Sequence, residues 1–168
     1  MNKKTLIAAI VIIIVLGVAL YLSYSSHTKE VVVNNPTDTS ITYKNTMYGF
    51  DFTLPANWQG YSVVAETWNG SALKNTTAQS GPKLLIRNPR WTAAAPYEDI
   101  PLLVFTIPQW NAYLAEDFSV SAAPILAQEL ARNNKYVFAL PPRWNFDNSL
   151  GYEEATAIVA GNPLHATE

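Results

Sequence analysis

The chain has 168 residues, no cysteine and a formal net charge of -2 at pH 7. Such a small charge gives no reason to expect binding to nucleic acid or to an acidic lipid surface. The lack of cysteine excludes a disulfide framework, a thiol nucleophile, a Cys-type zinc site and a lipid-modified cysteine anchor. The length fits one domain with an appendage.

An apolar segment near the N-terminus is predicted to cross a membrane. Lys3 and Lys4 precede Leu6–Tyr24, a stretch without any charged side chain. As a helix this stretch would be about 28 Å long, close to the thickness of a bilayer's hydrocarbon core. Lysines before it, with Tyr21 and Tyr24 at its far end, predict a signal-anchor helix in the lipid bilayer of the cytoplasmic membrane. The N-terminus is then inside and the rest of the chain outside.

Other interpretations of this segment are less well supported. A cleaved signal peptide has a shorter apolar region, and only residues 23–25 resemble a cleavage site. A pilin stem would need a glycine cleavage site followed by a glutamate, and a buried core helix would need a polar face. The predicted division is a cytoplasmic stub at 1–4, a transmembrane helix at 5–24, a flexible linker at 25–42 and an extracytoplasmic domain at 43–166.

The residues around the start of the domain have β-strand patterns. Phe50, Phe52 and Leu54 alternate with polar residues, which predicts a half-buried strand that ends before Pro55. Gly49 suits a tight turn from a preceding strand. Two stretches bounded by prolines, 102–107 and 136–140, are continuously apolar, which is typical of central strands covered on both faces. The predicted strands are 41–45, 50–54, 61–67, 83–87, 102–107 and 136–140, with a long loop over 68–82.

Helical patterns separate the later strands. Pro108 suits the first position of a helix, because its missing N–H has no partner there in any case. Apolar residues then recur at helical spacing, at Trp110, Tyr113, Leu114 and Phe118. A second, shorter helix is predicted from the stripe Leu126, Ala127, Leu130 and Ala131.

A last helix is predicted after Ser149, whose side chain suits an N-cap. Glu153 and Glu154 would lie near its positive end, and Gly161 would end it. Strands that come first, with helices between and after them, predict an α+β domain with a mainly antiparallel sheet and flanking helices.

The segment from Tyr43 to Trp58 has a Tyr48-Gly49-Phe50 turn, a strand and a Pro55-x-x-Trp58 corner. It resembles the opening of PsbP-like domains. The resemblance implies an α/β/α sandwich, in a fold group that includes a lumenal photosystem subunit and consists mostly of binding and assembly modules. Residues 86–91 and 136–146 look like parts of membrane-anchored bacterial proteins whose activity is unknown. The resemblance carries no catalytic or metal-binding motif onto this chain.

Few side chains suit catalysis or metal binding. His27 lies in the predicted linker and His165 near the predicted frayed end, so neither is expected to act as a base or zinc ligand. Glu98 and Asp99, in a loop before a strand, are the strongest acidic pair for a hydrolase, which needs two carboxylates across a cleft. No glycine-rich phosphate loop is present. Neither metal, cofactor, nucleotide nor nucleic acid is therefore expected as a ligand.

Tryptophan is the unusual residue type, with five copies in the chain. Trp58 is predicted to cover the core at a corner, and Trp110 to lie in a buried helix stripe. Two others each follow an arginine in a proline-bearing loop, as Arg90-Trp91 and Arg143-Trp144. Exposed Trp and Arg side chains are common anchors of interfaces, and Trp rings also stack on sugars. These four residues form a predicted binding patch, unless each Trp folds onto the core and each Arg pairs with a carboxylate.

The sequence thus predicts a non-catalytic binding or assembly module, anchored in the membrane of a bacterial cell envelope. Its ligand would be another envelope protein or a glycan. The alternative is an envelope hydrolase that uses the carboxylates of Glu98 and Asp99. A third possibility is a structural subunit of a larger envelope complex.

Overall fold

The computed structural model describes residues 40–74, 76–145 and 148–168. The predicted stub, the predicted transmembrane helix, His27 and nearly all of the predicted linker lie outside these residues. Within the described ranges, no helix is both long enough and apolar enough to cross a bilayer. The first strand begins at Ile41, slightly before the predicted domain boundary at residue 43.

The described residues form two sheets and two helices. The helices are α1 (Ile107–Leu114) and α2 (Tyr152–Ala160). The strands are β1 (Ile41–Asn45), β2 (Phe50–Leu54), β3 (Ser62–Ala72), β4 (Gln79–Arg87), β5 (Ile100–Thr106), β6 (Phe118–Ser119), β7 (Gln128–Arg132), β8 (Tyr136–Leu140) and β9 (Leu164–Ala166). The small sheet has the order β1-β2-β9, the large sheet has the order β6-β3-β4-β5-β8-β7, and the pairings of these strands are antiparallel. The predicted α+β class with a mainly antiparallel sheet is confirmed.

The hairpin of β1 and β2 opens the small sheet through a turn at Gly49. This residue has a φ of +75°, and a Cβ there would lie 2.9 Å from Nδ2 of Asn133. The predicted tight turn is therefore confirmed, and glycine is required at it. The Asn133 amide donates hydrogen bonds to the carbonyls of Tyr48, Gly49 and Thr167 at 2.9, 3.0 and 3.1 Å. One side chain thus joins the opening hairpin, the β7–β8 turn and the C-terminal segment.

Apolar clusters cover both faces of the large sheet. On one face, side chains of β2, β9 and α2 pack on β4, β5 and β8, and Trp58 is fully buried among them. On the other face, Trp110 and Tyr113 of α1 pack against Phe105 and Trp68. The predictions that Trp58 covers a corner of the core and that Trp110 lies in a buried stripe are confirmed. Strands β5 and β8 are central, as predicted, because apolar side chains cover them from both sides.

The helix ends differ in part from the predicted ones. At α1, Thr106 and Gln109 form a capping box. The helix begins at Ile107, so Pro108 lies in its first turn, one residue after the predicted first position. The helix stops at Leu114, so Phe118 lies in β6 rather than on the helix. At α2, the predicted cap by Ser149 is wrong. The N-cap is Gly151, which has a φ of +79° and leaves no room for a Cβ beside the Tyr97 ring.

The predicted loop over residues 68–82 is wrong, because β3 and β4 run through most of it. Gly70 and Gly81 lie inside these strands because aromatic rings pack directly on them. A Cβ at Gly70 would lie 2.5 Å from the Phe118 ring, and one at Gly81 would lie 2.6 Å from the Trp68 ring. The indole of Trp68 is held in place by a 2.9 Å hydrogen bond from its Nε1 to the carbonyl of Val104. Glycine here marks close ring packing rather than a turn.

The predicted helix at 126–131 is also wrong, since this region contains strand β7. The register of β7 against β8 shifts between Glu129 and Ala131, which is the mark of a β-bulge. A bulge inserts one extra residue and interrupts the two-residue period of a strand. Leu130 and Ala131, adjacent at this bulge, both pack against the same apolar cluster. Leu126 and Ala127, the other residues of the predicted stripe, precede β7, and Leu126 is 53% exposed.

The ring packing on Gly81 leads to a stability prediction. Gly81→Ala should destabilise the fold by about 1–3 kcal/mol, because the new methyl group overpacks the Trp68 site. Its φ is not left-handed, so backbone strain adds nothing. Ser80→Ala, at the exposed neighbouring residue, is the control and should stay within about 0.5 kcal/mol of the parent. Urea denaturation measures both, and equal midpoints for the two variants would contradict the packing argument.

Candidate functional site

Two long loops meet at one end of the large sheet. Residues 88–99 connect β4 to β5, and residues 141–151 connect β8 to α2. Because β4, β5 and β8 are antiparallel neighbours, these loops leave the sheet at the same end. They also touch directly, through a bridge between Tyr97 and Leu150 and a 2.7 Å hydrogen bond from the Glu98 N–H to the Leu150 carbonyl. The predicted patch residues and the predicted hydrolase carboxylates all belong to these two loops.

A polar cluster ties the 88–99 loop to α2. Glu154, in the first turn of α2, accepts hydrogen bonds from Asn57 at 2.5 Å and from Asn88 at 3.5 Å, and it forms an ion pair with Arg90. The Asn88 side chain is almost fully buried, and its Oδ1 accepts from the N–H and the Nε of Arg90 at 2.9 and 3.2 Å. The Arg90 guanidinium also lies 4.6 Å from the centre of the Tyr97 ring. Arg90 is therefore engaged within the domain.

Arg87 organises the other side of the same loop. It donates from Nε and Nη2 to one oxygen of Asp99 at 3.1 and 3.0 Å, a partly buried ion pair. Its guanidinium also lies 4.0 Å from the centre of the Trp91 ring. Trp91 is thus half-buried beneath a fixed cation.

A concave recess lies between the two loops, which we call the loop recess. Its volume is about 460 Å³. Aromatic and charged side chains border it together, among them Tyr97, Glu98, Asp99, Arg143, Trp144 and Lys83. Two acidic and two basic side chains are present, so the formal charge of the border is zero. Both predicted hydrolase carboxylates and half of the predicted patch therefore lie at one place.

Glu98 has an altered acidity in this recess. Partial burial raises its pKa above the ordinary value, the nearby Asp99 carboxylate raises it further, and a hydrogen bond with the Ser149 side chain lowers it. Ser149, which was predicted to cap α2, borders the loop recess together with Glu98 instead. A carboxyl with a raised pKa is a common feature of functional sites, although structural sites also have them.

Residues 141–144 form a ridge with a recess on each side. The loop recess lies on one side, and the other side holds an apolar recess of about 570 Å³ bordered by Ile125 and Leu126. These two side chains are 52% and 53% exposed, which is unusual for large aliphatic residues. Arg143 is exposed and has a φ of +51°, a conformation uncommon outside glycine and concentrated at functional sites. Trp144 borders both recesses and also packs against the core.

The structure thus divides the predicted patch into two halves. Arg143 and Trp144 lie on the ridge, and in the described ranges Arg143 makes no ion pair. Arg90 is paired with Glu154, and Trp91 lies beneath Arg87 and borders neither the loop recess nor the apolar recess. The neighbours Tyr97 and Ile125 have no local sequence signal, since they come close to the ridge only through the fold.

His165 lies in a regular strand, whereas the sequence predicted a frayed end. It lies in β9, paired with Asp51 of β2, so the expected frayed end is wrong. Its exposed side chain borders a groove of about 480 Å³ together with Asn57 and Glu154. Among the described residues, no three His, Asp or Glu side chains come together in a way that would hold a metal ion.

Comparisons of the chain with protein-family models, curated proteins and solved structures find no match.

Glu154 should be the residue that holds the 88–99 loop in place. Glu154→Ala should destabilise the domain by about 1–3 kcal/mol, because the buried amide of Asn88 and the guanidinium of Arg90 lose their acceptor. Glu153→Ala removes the same charge from the same turn of α2, but from an exposed position, so it is the matched control. Urea denaturation compares the two variants. If both lower stability equally, the helix dipole matters and the polar cluster does not.

The raised pKa of Glu98 predicts a pH-dependent stability. The folded state binds the Glu98 proton more tightly than the unfolded state, so this contribution to stability is full below the ordinary pKa of about 4.3. It is lost as the pH rises through the raised folded pKa. This contribution makes the free energy of unfolding decrease as the pH rises above 4, and Glu98→Gln should make that decrease smaller. Urea denaturation across this range, with Glu153→Gln as control, measures the difference, and parallel curves for both variants would refute it.

Proposed function

We propose that this chain is a membrane-anchored, extracytoplasmic binding module whose ligand contacts the 141–144 ridge. The observation that carries the proposal is the position of Trp144 and Arg143 between the loop recess and the apolar recess. Trp and Arg side chains dominate the energy of most interfaces, and exposed apolar patches mark interaction sites. The left-handed backbone at Arg143 supports this placement, because such conformations cluster at functional sites.

The location of the module is part of the proposal. The apolar stretch Leu6–Tyr24 would hold it in the cytoplasmic membrane, with lysines inside and the domain outside. A mature N-terminus near Ser26 would show instead that this stretch is a cleaved signal peptide. Recovery of the intact chain from the membrane fraction is the result expected of an anchor.

We further propose that the domain is a PsbP-like sandwich. The opening hairpin with its turn at Gly49 and the buried Trp58 after Pro55 support this assignment. So does the layering, in which α1 packs on one face of the large sheet while α2 and the small sheet pack on the other. The fold group as a whole consists mostly of binding and assembly modules, which agrees with the proposed function.

A hydrolase is the second candidate, because Glu98 and Asp99 border the same recess. A raised pKa suits Glu98 as a proton donor. Asp99, however, already accepts two hydrogen bonds from Arg87, and the two carboxyls come from adjacent residues of one loop. Glycosidases place their two carboxyls on opposite sides of the bond that they cleave. We therefore favour binding over catalysis.

Site-specific photo-crosslinking tests the ridge in intact membranes. A photoreactive phenylalanine derivative in place of Trp144, which keeps an aromatic ring there, should give crosslinks to a discrete species, because this position contacts the ligand. The same residue in place of Leu114, which is 48% exposed on α1, should not do so. Equal crosslinking at both positions, or none at position 144, would refute the proposed site.

The two halves of the predicted patch can be separated in the same experiment. With a crosslinker at Ile125, which also borders the apolar recess, Trp144→Ala should reduce the yield of crosslinks at least tenfold. Trp91→Ala should leave most of the yield, because Arg87 covers this ring. A loss caused by Trp91→Ala alone, with unchanged thermal melting, would move the binding site from the ridge to the 88–99 loop.

A further inference from the structure

We infer that the loop recess binds a ring of an uncharged carbohydrate. In this arrangement the sugar stacks on Trp144, its hydroxyl groups donate to the Glu98 carboxylate, and the Arg143 guanidinium donates to its oxygens. The inference rests on the proposed function and names the class of ligand. It follows from the charges, the aromatic residues and the shape of this recess.

The charge balance of the loop recess favours an uncharged ligand. Of its two acidic side chains, Asp99 is already paired with Arg87 at 3.0 Å. Of its two basic side chains, Lys83 is already paired with Glu66 at 3.0 Å. Within the part of the chain that the structure describes, Glu98 and Arg143 form no ion pair, and one is a hydrogen-bond acceptor while the other is a donor. A ligand with a strong net charge would meet no matching excess of opposite charge.

An acceptor, a donor and aromatic rings together suit a sugar. Sugar hydroxyls both donate and accept hydrogen bonds, so they can satisfy Glu98 and Arg143 at the same time. The apolar face of a sugar ring packs on an aromatic ring, and Trp144 supplies a large one at the border of the recess. Tyr97 supplies a second aromatic wall, and the Arg90 guanidinium at 4.6 Å holds its ring in position.

The recess is also preformed. The Glu98 N–H donates a 2.7 Å hydrogen bond to the Leu150 carbonyl, and Asp99 forms a 3.0 Å ion pair with Arg87. Side chains that are already ordered lose little conformational entropy on binding. The volume of about 460 Å³ falls within the range of small-ligand sites. The recess shares Tyr97 and Ser149 with a neighbouring recess near Arg90, which leaves room for a second ring of an oligosaccharide.

Calorimetric titration of the full chain in detergent without sugar headgroups tests the inference. The probes are soluble β-1,4-linked oligomers of N-acetylglucosamine and of glucose, with a sulfated oligosaccharide as the charged comparison. At least one uncharged oligomer should bind saturably, with an affinity that changes less than twofold between 50 and 300 mM salt. Saturable binding of the sulfated probe alone would overturn the inference.

Variants assign the binding to the loop recess. Trp144→Ala should weaken saccharide binding at least tenfold, while Trp144→Phe, which keeps an aromatic ring and the core contact, should retain most of it. Glu98→Gln should weaken it about threefold to tenfold, and Leu114→Ala should leave it unchanged. Circular dichroism melts establish that each variant is folded. Equal affinity in the parent chain and in folded Trp144→Ala would overturn the inference.

The results separate the inference from the function on which it rests. Protein crosslinks at position 144 without saccharide binding would overturn the inference and leave a protein-binding module. Neither crosslinks nor saccharide binding would overturn both. Release of reducing ends from the oligomers, abolished by Glu98→Gln, would keep the carbohydrate assignment and overturn the non-catalytic part of the proposed function.

Discussion

Burial of β5 on both faces is the constraint from which the rest of this domain follows. Every side chain from Ile100 to Phe105 is buried, and the two apolar clusters meet across this strand. The small sheet and α2 cover one face, and α1 covers the other. Removal of either layer would expose large aromatic and aliphatic side chains to water. The domain therefore needs all of its layers to keep its central strand covered.

The candidate site inherits its rigidity from this strand. Asp99 directly precedes β5, and Arg87 is the last residue of β4, so their ion pair closes the end of two packed strands. Glu98 lies one residue farther out, at the edge of the recess. The ridge in turn follows the last residue of β8, the other neighbour of β5. A recess built at the ends of buried strands keeps its shape without a ligand.

Sequence patterns predict those strands and helices of this fold that are determined by residues close together in the sequence. Phe50–Leu54 and the apolar run at Tyr136–Leu140 form the expected strands, because alternation or continuous burial there follows the period of a strand. The pattern fails at Gly81, where ring packing rather than a turn requires glycine. It also fails over residues 126–131, where two residues of the predicted stripe precede β7 and the other two lie at its bulge. Arg143 and Trp144 could be selected by residue type. Their neighbours Tyr97 and Ile125 could not, because only the chain topology brings them near the ridge.

The position of β9 has a consequence for how the domain is made. This three-residue strand near the C-terminus pairs with β2, and Thr167 beside it receives a hydrogen bond from Asn133 and donates one to Gly49. The first hairpin therefore gains its second neighbour only after residues 164–166 have been synthesised. Until then β2 has an open edge and an uncovered row of phenylalanines. The small sheet is thus completed by a late segment of the domain, and a chain in which residues 164–166 are missing is the form most exposed to aggregation.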